Sequence, residues 1–154
     1  MSPPEAIHIA AGTVAKGLAG FRQSHLEAAR AAALTRASRH PAGFTRYHDV
    51  ELAVLLAQDI DRAQTFVARE LGDAAARTQT AGELRDTVAA YLAHDRSLMR
   101  AATELHVARN TVAYRVKKFE ELTGRSVAER RLELEAALRL ANVLGDRVTT
   151  GEDP

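Results

Sequence analysis

Arg109, Asn110, Thr111, Tyr114, Lys117 and Lys118 fall within ten consecutive residues and combine an amide, a hydroxyl, a phenol and three cations. Such groups can hydrogen-bond base edges and neutralise phosphates, provided that they share one exposed surface. A helix supplies that surface. At about 100° per residue, Val112, Val116 and Phe119 lie within roughly 60° of one another, a stripe aimed at a core. Asn110, Tyr114, Lys117 and Glu121 then occupy the opposite side, with Thr111 and Lys118 beside them. Arg109 and Asn110 stand at the N-terminal end, where free amides and the helix dipole attract phosphate. Arg115 projects beside the core stripe, so it either holds a phosphate backbone with the others or snorkels from the flank.

The elements that must position this helix can be read on both sides of it. Ser97 is placed to cap a helix reaching Leu105, with Leu98, Ala101, Ala102 and Leu105 as its packing stripe. His106, Val107 and Ala108 make a short connection to the helix from Arg109 to about Leu122, closed by Gly124. Two short helices joined by so tight a turn form the helix-turn-helix pattern, although the glycine often found in the turn is missing. Upstream, Thr80 followed by Glu83 reads as a capping box for a helix to about His94, with Leu84, Val88, Tyr91 and Leu92 inward. Downstream, Leu132, Ala136, Leu138, Leu140, Val143 and Leu144 predict a broad apolar helix that covers the same core or exposes one side to a second subunit.

Charge singles out the same region. The 154 residues carry a net charge of only +1, but residues 96–131 hold nine basic side chains against four acidic ones. The flanking parts are slightly acidic, at −1 for residues 1–95 and −3 for the last 23. A basic block within a near-neutral chain is the electrostatic footprint of a module that meets phosphates.

Alanine supplies about a fifth of the chain, so most of it should be helical. Ala6 to Ala10 predicts a strand, Gly12 to Gly20 a loop, and Phe21 to Ala37 an amphipathic helix with Phe21, Ala28 and Ala32 or Leu34 inward, broken by His40, Pro41 and Gly43. Phe44 to Tyr47 predicts a second short strand. Asp49 can cap a helix with Val50, Leu52, Ala53, Leu55 and Leu56 as its apolar set, and Asp59 one running from Ile60 to Leu71 and stopped by Gly72. Residues 73–79 lack apolar periodicity and read as a connector.

Other chemistry is poorly supplied. With no cysteine there is no disulfide, thiolate metal site or cysteine nucleophile. The six histidines are scattered without zincin spacing, and His106 in the turn reads as structural. Asp59 and Asp61 lack the rest of a calcium loop. No nucleophile elbow, Walker loop or dinucleotide fingerprint occurs. Neither a secretory signal nor a membrane-spanning run is present, so a cytoplasmic location is expected.

From Gly82 to Leu140 the runs Leu84-Arg85-Asp86-Thr87-Val88-Ala89-Ala90-Tyr91-Leu92, Leu105-His106-Val107, Arg109-Asn110-Thr111-Val112, Tyr114-Arg115-Val116 and Phe119-Glu120-Glu121-Leu122-Thr123-Gly124, continuing through Arg131-Leu132-Glu133-Leu134 to Ala137-Leu138-Arg139-Leu140, resemble the C-terminal helix-turn-helix domain of the PucR/CdaR family of bacterial transcription regulators. Residues from Ile7 to about Leu56 resemble, more loosely, the end of that family's GGDEF-like central domain, through Gly17-Leu18-Ala19-Gly20-Phe21, Ser24, Glu27-Ala28-Ala29-Arg30 and Tyr47-His48-Asp49-Val50. The cyclase motif itself is absent. Two departures stand out: Ala108 replaces the His or Ser the family often has, which removes a cap bond of about 1 kcal/mol, and Ala113 replaces a frequent Arg.

The expectation is a mainly α chain: residues 1–72 the end of a GGDEF-like α/β domain, 73–79 a linker, 80–146 the helix-turn-helix domain and 147–154 a tail. The resemblance implies a non-enzymatic transcription regulator, without cofactor or metal, that binds double-stranded DNA as a homo-oligomer. Arg109 and Asn110 would read bases, with Thr111, Tyr114, Arg115, Lys117 and Lys118 on the backbone. It also implies that any effector is bound by a part of the regulator preceding residue 1. The rival reading is a dimerisation or protein-interaction module whose basic face is merely solvated.

Overall fold

The computed structural model describes residues 7–36 and 43–151. The expected break at His40 and Pro41 lies outside them. Seven α-helices and a two-stranded sheet form the described part: β1 (Ile9–Ala11), α1 (Gly17–Thr35), β2 (Phe44–Arg46), α2 (Tyr47–Leu56), α3 (Ile60–Leu71), α4 (Gln79–Ala93), α5 (Leu98–Glu104), α6 (Arg109–Thr123) and α7 (Arg131–Leu144). The mainly α expectation, with a small α/β part at the N-terminal side, describes this architecture.

β1 and β2 pair in parallel, Ile9 beside Phe44 and Ala11 beside Arg46. Their inner face, with Ala10 and Thr45, lies under α1 and α2, where Ala31, Tyr47 and Val54 form a small core. Several expected inward positions point outward instead. α1 starts four residues before Phe21, and its buried side is Glu27 and Ala31, which leaves Phe21 70% exposed. Glu27 tolerates burial because its carboxylate accepts from the backbone N–H of Thr13 (2.8 Å), the Thr13 hydroxyl (2.5 Å) and the Gln23 amide (2.8 Å). α2 starts at Tyr47, so Asp49 lies in its first turn rather than at its cap, and Leu52, Leu55 and Leu56 face outward.

The main core joins α3 to α7. Ala63, Val67 and Leu71 of α3 pack with Leu84, Val88, Val112, Phe119, Leu134 and Leu144 in one continuous cluster. Asp59 caps α3 as expected, accepting from the Arg62 amide at 3.0 Å. On α7 the inward stripe is Leu134, Ala137, Leu138, Ala141 and Leu144, while Leu132 is 75% exposed. Leu138, Leu140 and Leu144 are buried as expected; Leu132 departs because it stands in the first turn, just after Arg130 with its left-handed φ of 46°.

The stretch expected as a connector belongs to this core. Gly72–Ala75 is a single 3-10 turn whose Ala74 and Ala75 are fully buried. One turn is too short to show periodicity, and its alanines fit where larger side chains would not. The buried guanidinium of Arg85 donates to the carbonyls of Ala74 (2.6 Å) and Ala76 (2.9 Å), satisfying backbone groups that no helix takes up. The expected tail docks on the same stretch. Val148 and Thr149 are buried, Thr150 donates to the Ala75 carbonyl (2.9 Å), and the Arg77 amide donates to that of Thr150 (2.9 Å). The Arg77 side chain adds bonds to the carbonyls of Thr149 (3.2 Å) and Asp146 (2.6 Å).

Candidate nucleic-acid interface

α4, α5 and α6 present the candidate surface. α4 is capped two residues earlier than the sequence suggests, by Thr78, whose hydroxyl accepts from the Ala81 amide at 3.1 Å. Thr80 is therefore inside the helix, and Glu83 is free for another partner. At the far end Asp95 and Arg96 both hold left-handed φ angles, and the Arg96 amide closes the helix on the Tyr91 carbonyl at 2.8 Å. Ser97 caps α5 through the Arg100 amide, as expected (3.4 Å).

His106 takes the conformation that glycine would otherwise supply in the turn. Its φ is +54°, and the Val107 amide reaches back to the Ala102 carbonyl at 3.0 Å. That bond reverses the chain and lets α6 start at Arg109. Ala108 offers no side-chain cap. The amides of Thr111 and Val112 both return to its carbonyl, at 3.0 and 3.3 Å. Gly124, left-handed at φ +69°, ends the helix as expected.

Val112, Val116 and Phe119 are buried and hold α6 in the core. Arg109, Asn110, Tyr114 and Lys117 are exposed, and none of these four side chains has a hydrogen bond or ion pair among the described residues. Thr111 lies partly exposed beside them. Lys118 sits 3.5 Å from Glu121, a loose surface pair worth little in water.

Arg115 is not brought into this group. Its guanidinium forms an ion pair with Glu83 and lies 3.4 Å from the Thr87 hydroxyl, tying α6 to α4. The flank alternative is the one the geometry adopts. Other members of the basic block are likewise engaged. Arg125 donates to the Glu70 carbonyl (2.5 Å) and carboxylate (2.7 Å), Arg130 to the same carboxylate (3.1 Å), and Arg131 to Glu135 (2.7 Å). Glu70 is 2% exposed. Burial alone would push its carboxyl up, but hydrogen bonds from Arg125 and Arg69, with the charges of Arg125 and Arg130, outweigh burial and hold it below the ordinary value.

Four of the nine cations are thus used inside the protein. Arg96 and Arg100, exposed at the start of α5, have no ion-pair partner among the described residues. They join Arg109 and Lys117 as free positive charge, a role that the charge count alone could suggest. Among the described residues no cluster of three or more His, Asp or Glu could hold a metal ion, and no helix is long and apolar enough to cross a membrane.

Residues 84–140, which run from α4 into α7, match the PucR C-terminal helix-turn-helix domain. The "Transcriptional activator PmfR" of Paenarthrobacter nicotinovorans is 35% identical over 74 residues, 48% of this chain and 16% of that protein. The "Purine catabolism regulatory protein" of Bacillus subtilis (strain 168) is 32% identical over 110 residues, 70% of this chain and 21% of that protein, so the likeness extends beyond the matched domain. The chain spans about a fifth or less of the length of these curated relatives. No solved structure gives a significant match. With the Ser97 cap of α5, the left-handed turn and the exposed polar face of α6 all inside the matched span, the chain carries a PucR-type C-terminal helix-turn-helix domain over residues 84–140.

Proposed function

We propose that this chain acts as a sequence-specific, DNA-binding transcriptional regulator, with α6 in the major groove. The observation that carries the reading is the division of α6. Its buried stripe and Arg115 fix it to the bundle, while Arg109, Asn110, Tyr114 and Lys117 remain exposed and uncommitted on the other side. A helix held rigidly with free forks at its N-terminal end suits base readout, because bidentate contacts need a fixed angle of approach. In this reading Arg109 and Asn110 read base edges, and Thr111, Tyr114, Lys117 and Lys118 hold the phosphates. Arg115 acts indirectly, by fixing the helix.

Residues 1–72 are read as the end of a GGDEF-like domain, and the regulator works in the bacterial cytoplasm as a homo-oligomer on paired half-sites. Any effector is held outside this chain. The regulator has no catalytic activity of its own in this account.

Fluorescence anisotropy of the chain with a randomised labelled duplex at two salt concentrations, beside a Lys117→Ala, Lys118→Ala variant, tests the reading. Binding that weakens steeply with salt and again in the variant supports it. Folded protein that fails to bind even at low salt overturns it in favour of a protein-interaction module.

A further inference from the structure

Solvent exposure does not account for the outer faces of α1 and α2. α1 shows Leu18 (88% exposed), Phe21 (70%) and Leu26 (43%) outward, with the small side chains of Ala19, Ala29 and Ala33 between them. Its single acidic residue, Glu27, is buried, so the charge around this face is positive, from Arg22 and Arg30 and from Lys16 at the helix start. α2 is the reverse. It contains no Lys or Arg, and it leaves Leu52, Leu55 and Leu56 exposed between Asp49 and Glu51, with Asp49 and Leu52 bordering a cleft against α4 and α7. Lys16, Arg22, Asp49 and Glu51 have no ion-pair partner among the described residues. Exposed apolar side chains interleaved with charges that have no ion-pair partner are the composition of an interface rather than of a solvated face.

We propose that these faces meet in a second copy of the chain: α1 of one subunit lies on α2 of the other, and a two-fold axis makes the contact twice. The charges name the occupant. The rim of α1 is positive and that of α2 negative, so α1 on α2 is attractive, whereas α1 on α1 or α2 on α2 brings like charges together. α1 and α2 are neighbours in the fold, so one subunit can offer both halves at once, as an isologous dimer requires. The leucines and Phe21 form the dry centre, and the alanines of α1 allow the helices to approach closely. The proposal deepens the homo-oligomer reading above and rests on it, without using the DNA assignment.

Sedimentation velocity on the full chain tests it, with two charge-reversed variants, Lys16→Glu with Arg22→Glu and Asp49→Lys with Glu51→Lys. The wild type sediments as a dimer, and each variant, with unchanged helical circular dichroism, has its dimer constant weakened by at least about tenfold. An equimolar mixture of the two variants restores the dimer, since each then meets its opposite. A wild type that stays monomeric at all concentrations overturns both the oligomer reading and this surface. A dimer indifferent to either reversal, or a mixture that stays monomeric, overturns the surface and leaves the oligomer reading standing. Anisotropy of the monomeric variants with the randomised duplex reports separately on DNA binding.

Discussion

Arg115 of α6 is paired with Glu83 of α4, so the cation nearest the buried stripe of the candidate DNA-reading helix is turned inward. The neighbouring Lys117 has no such partner among the described residues. Arg115→Ala should therefore lower stability by about 1 kcal/mol, as expected of a partly exposed pair that joins two helices, and leave the salt dependence of DNA binding unchanged. Lys117→Ala with Lys118→Ala should do the opposite, sparing the melting temperature and reducing the slope of log affinity against log salt by about two. Thermal melts and anisotropy titrations on both variants separate the two roles.

Arg109 and Asn110 should govern discrimination rather than affinity in general. Alanine at either position is expected to cost about 1–3 kcal/mol against the preferred sequence while leaving binding to random duplex nearly unchanged. Competition between a selected site and random DNA measures that ratio.

Glu70 should make the fold acid-sensitive. Its folded-state pKa is lowered, so the stabilisation it gives is complete above the ordinary value of 4.5 and is lost as pH falls through the folded-state value. Glu70→Gln removes the charge while three arginines remain nearby, and at pH 7 should cost about 3 kcal/mol. Urea unfolding of both proteins from pH 7 down to pH 3 should show this difference shrinking below pH 4.5. A gap that stays constant would locate the effect in packing instead.

His106 should be replaceable by glycine but not by a β-branched residue. At φ +54° the histidine pays a steric cost that glycine escapes, so His106→Gly is expected to leave stability unchanged or raise it by up to about 1 kcal/mol. His106→Val should lose about 2 kcal/mol. Equilibrium denaturation of the two variants checks the sign of each.

Ala75 distinguishes a core turn from a connector. Leucine at this fully buried position should overpack the junction of α3, α4 and α6 and cost about 1–3 kcal/mol. In an exposed linker the same change would be silent in a thermal melt.

The helix-turn-helix region was legible because its signals are local. Ser97, Gly124 and the stripe Val112, Val116 and Phe119 each act within a turn or two of their own position. What stayed hidden depends on distant partners. The sequence leaves Arg115 between the phosphate backbone and the flank because the partner that decides, Glu83, lies 32 positions away, and Glu70 gives no sign of its arginines some 55 to 60 positions later. The exposed leucines of α2 read as core residues because apolar identity does not say which face of a helix is buried. Residues 73–79 read as a connector for the opposite reason, since the small buried side chains of Ala74 and Ala75 in a single turn leave no periodic trace.

The bridge between Ala76 and Thr150 has a mechanical consequence. It brings the chain into and out of the α4–α7 bundle at one point, with the Arg77 guanidinium as the buckle of the strap. Residues 76–150 therefore behave as a closed loop rather than as a row of helices with a loose end. Peeling from the last helix inward is opposed by bonds that also hold Ala75 and Arg77, just ahead of α4. Fraying at the end of the chain must therefore first break bonds that also anchor the segment leading into α4.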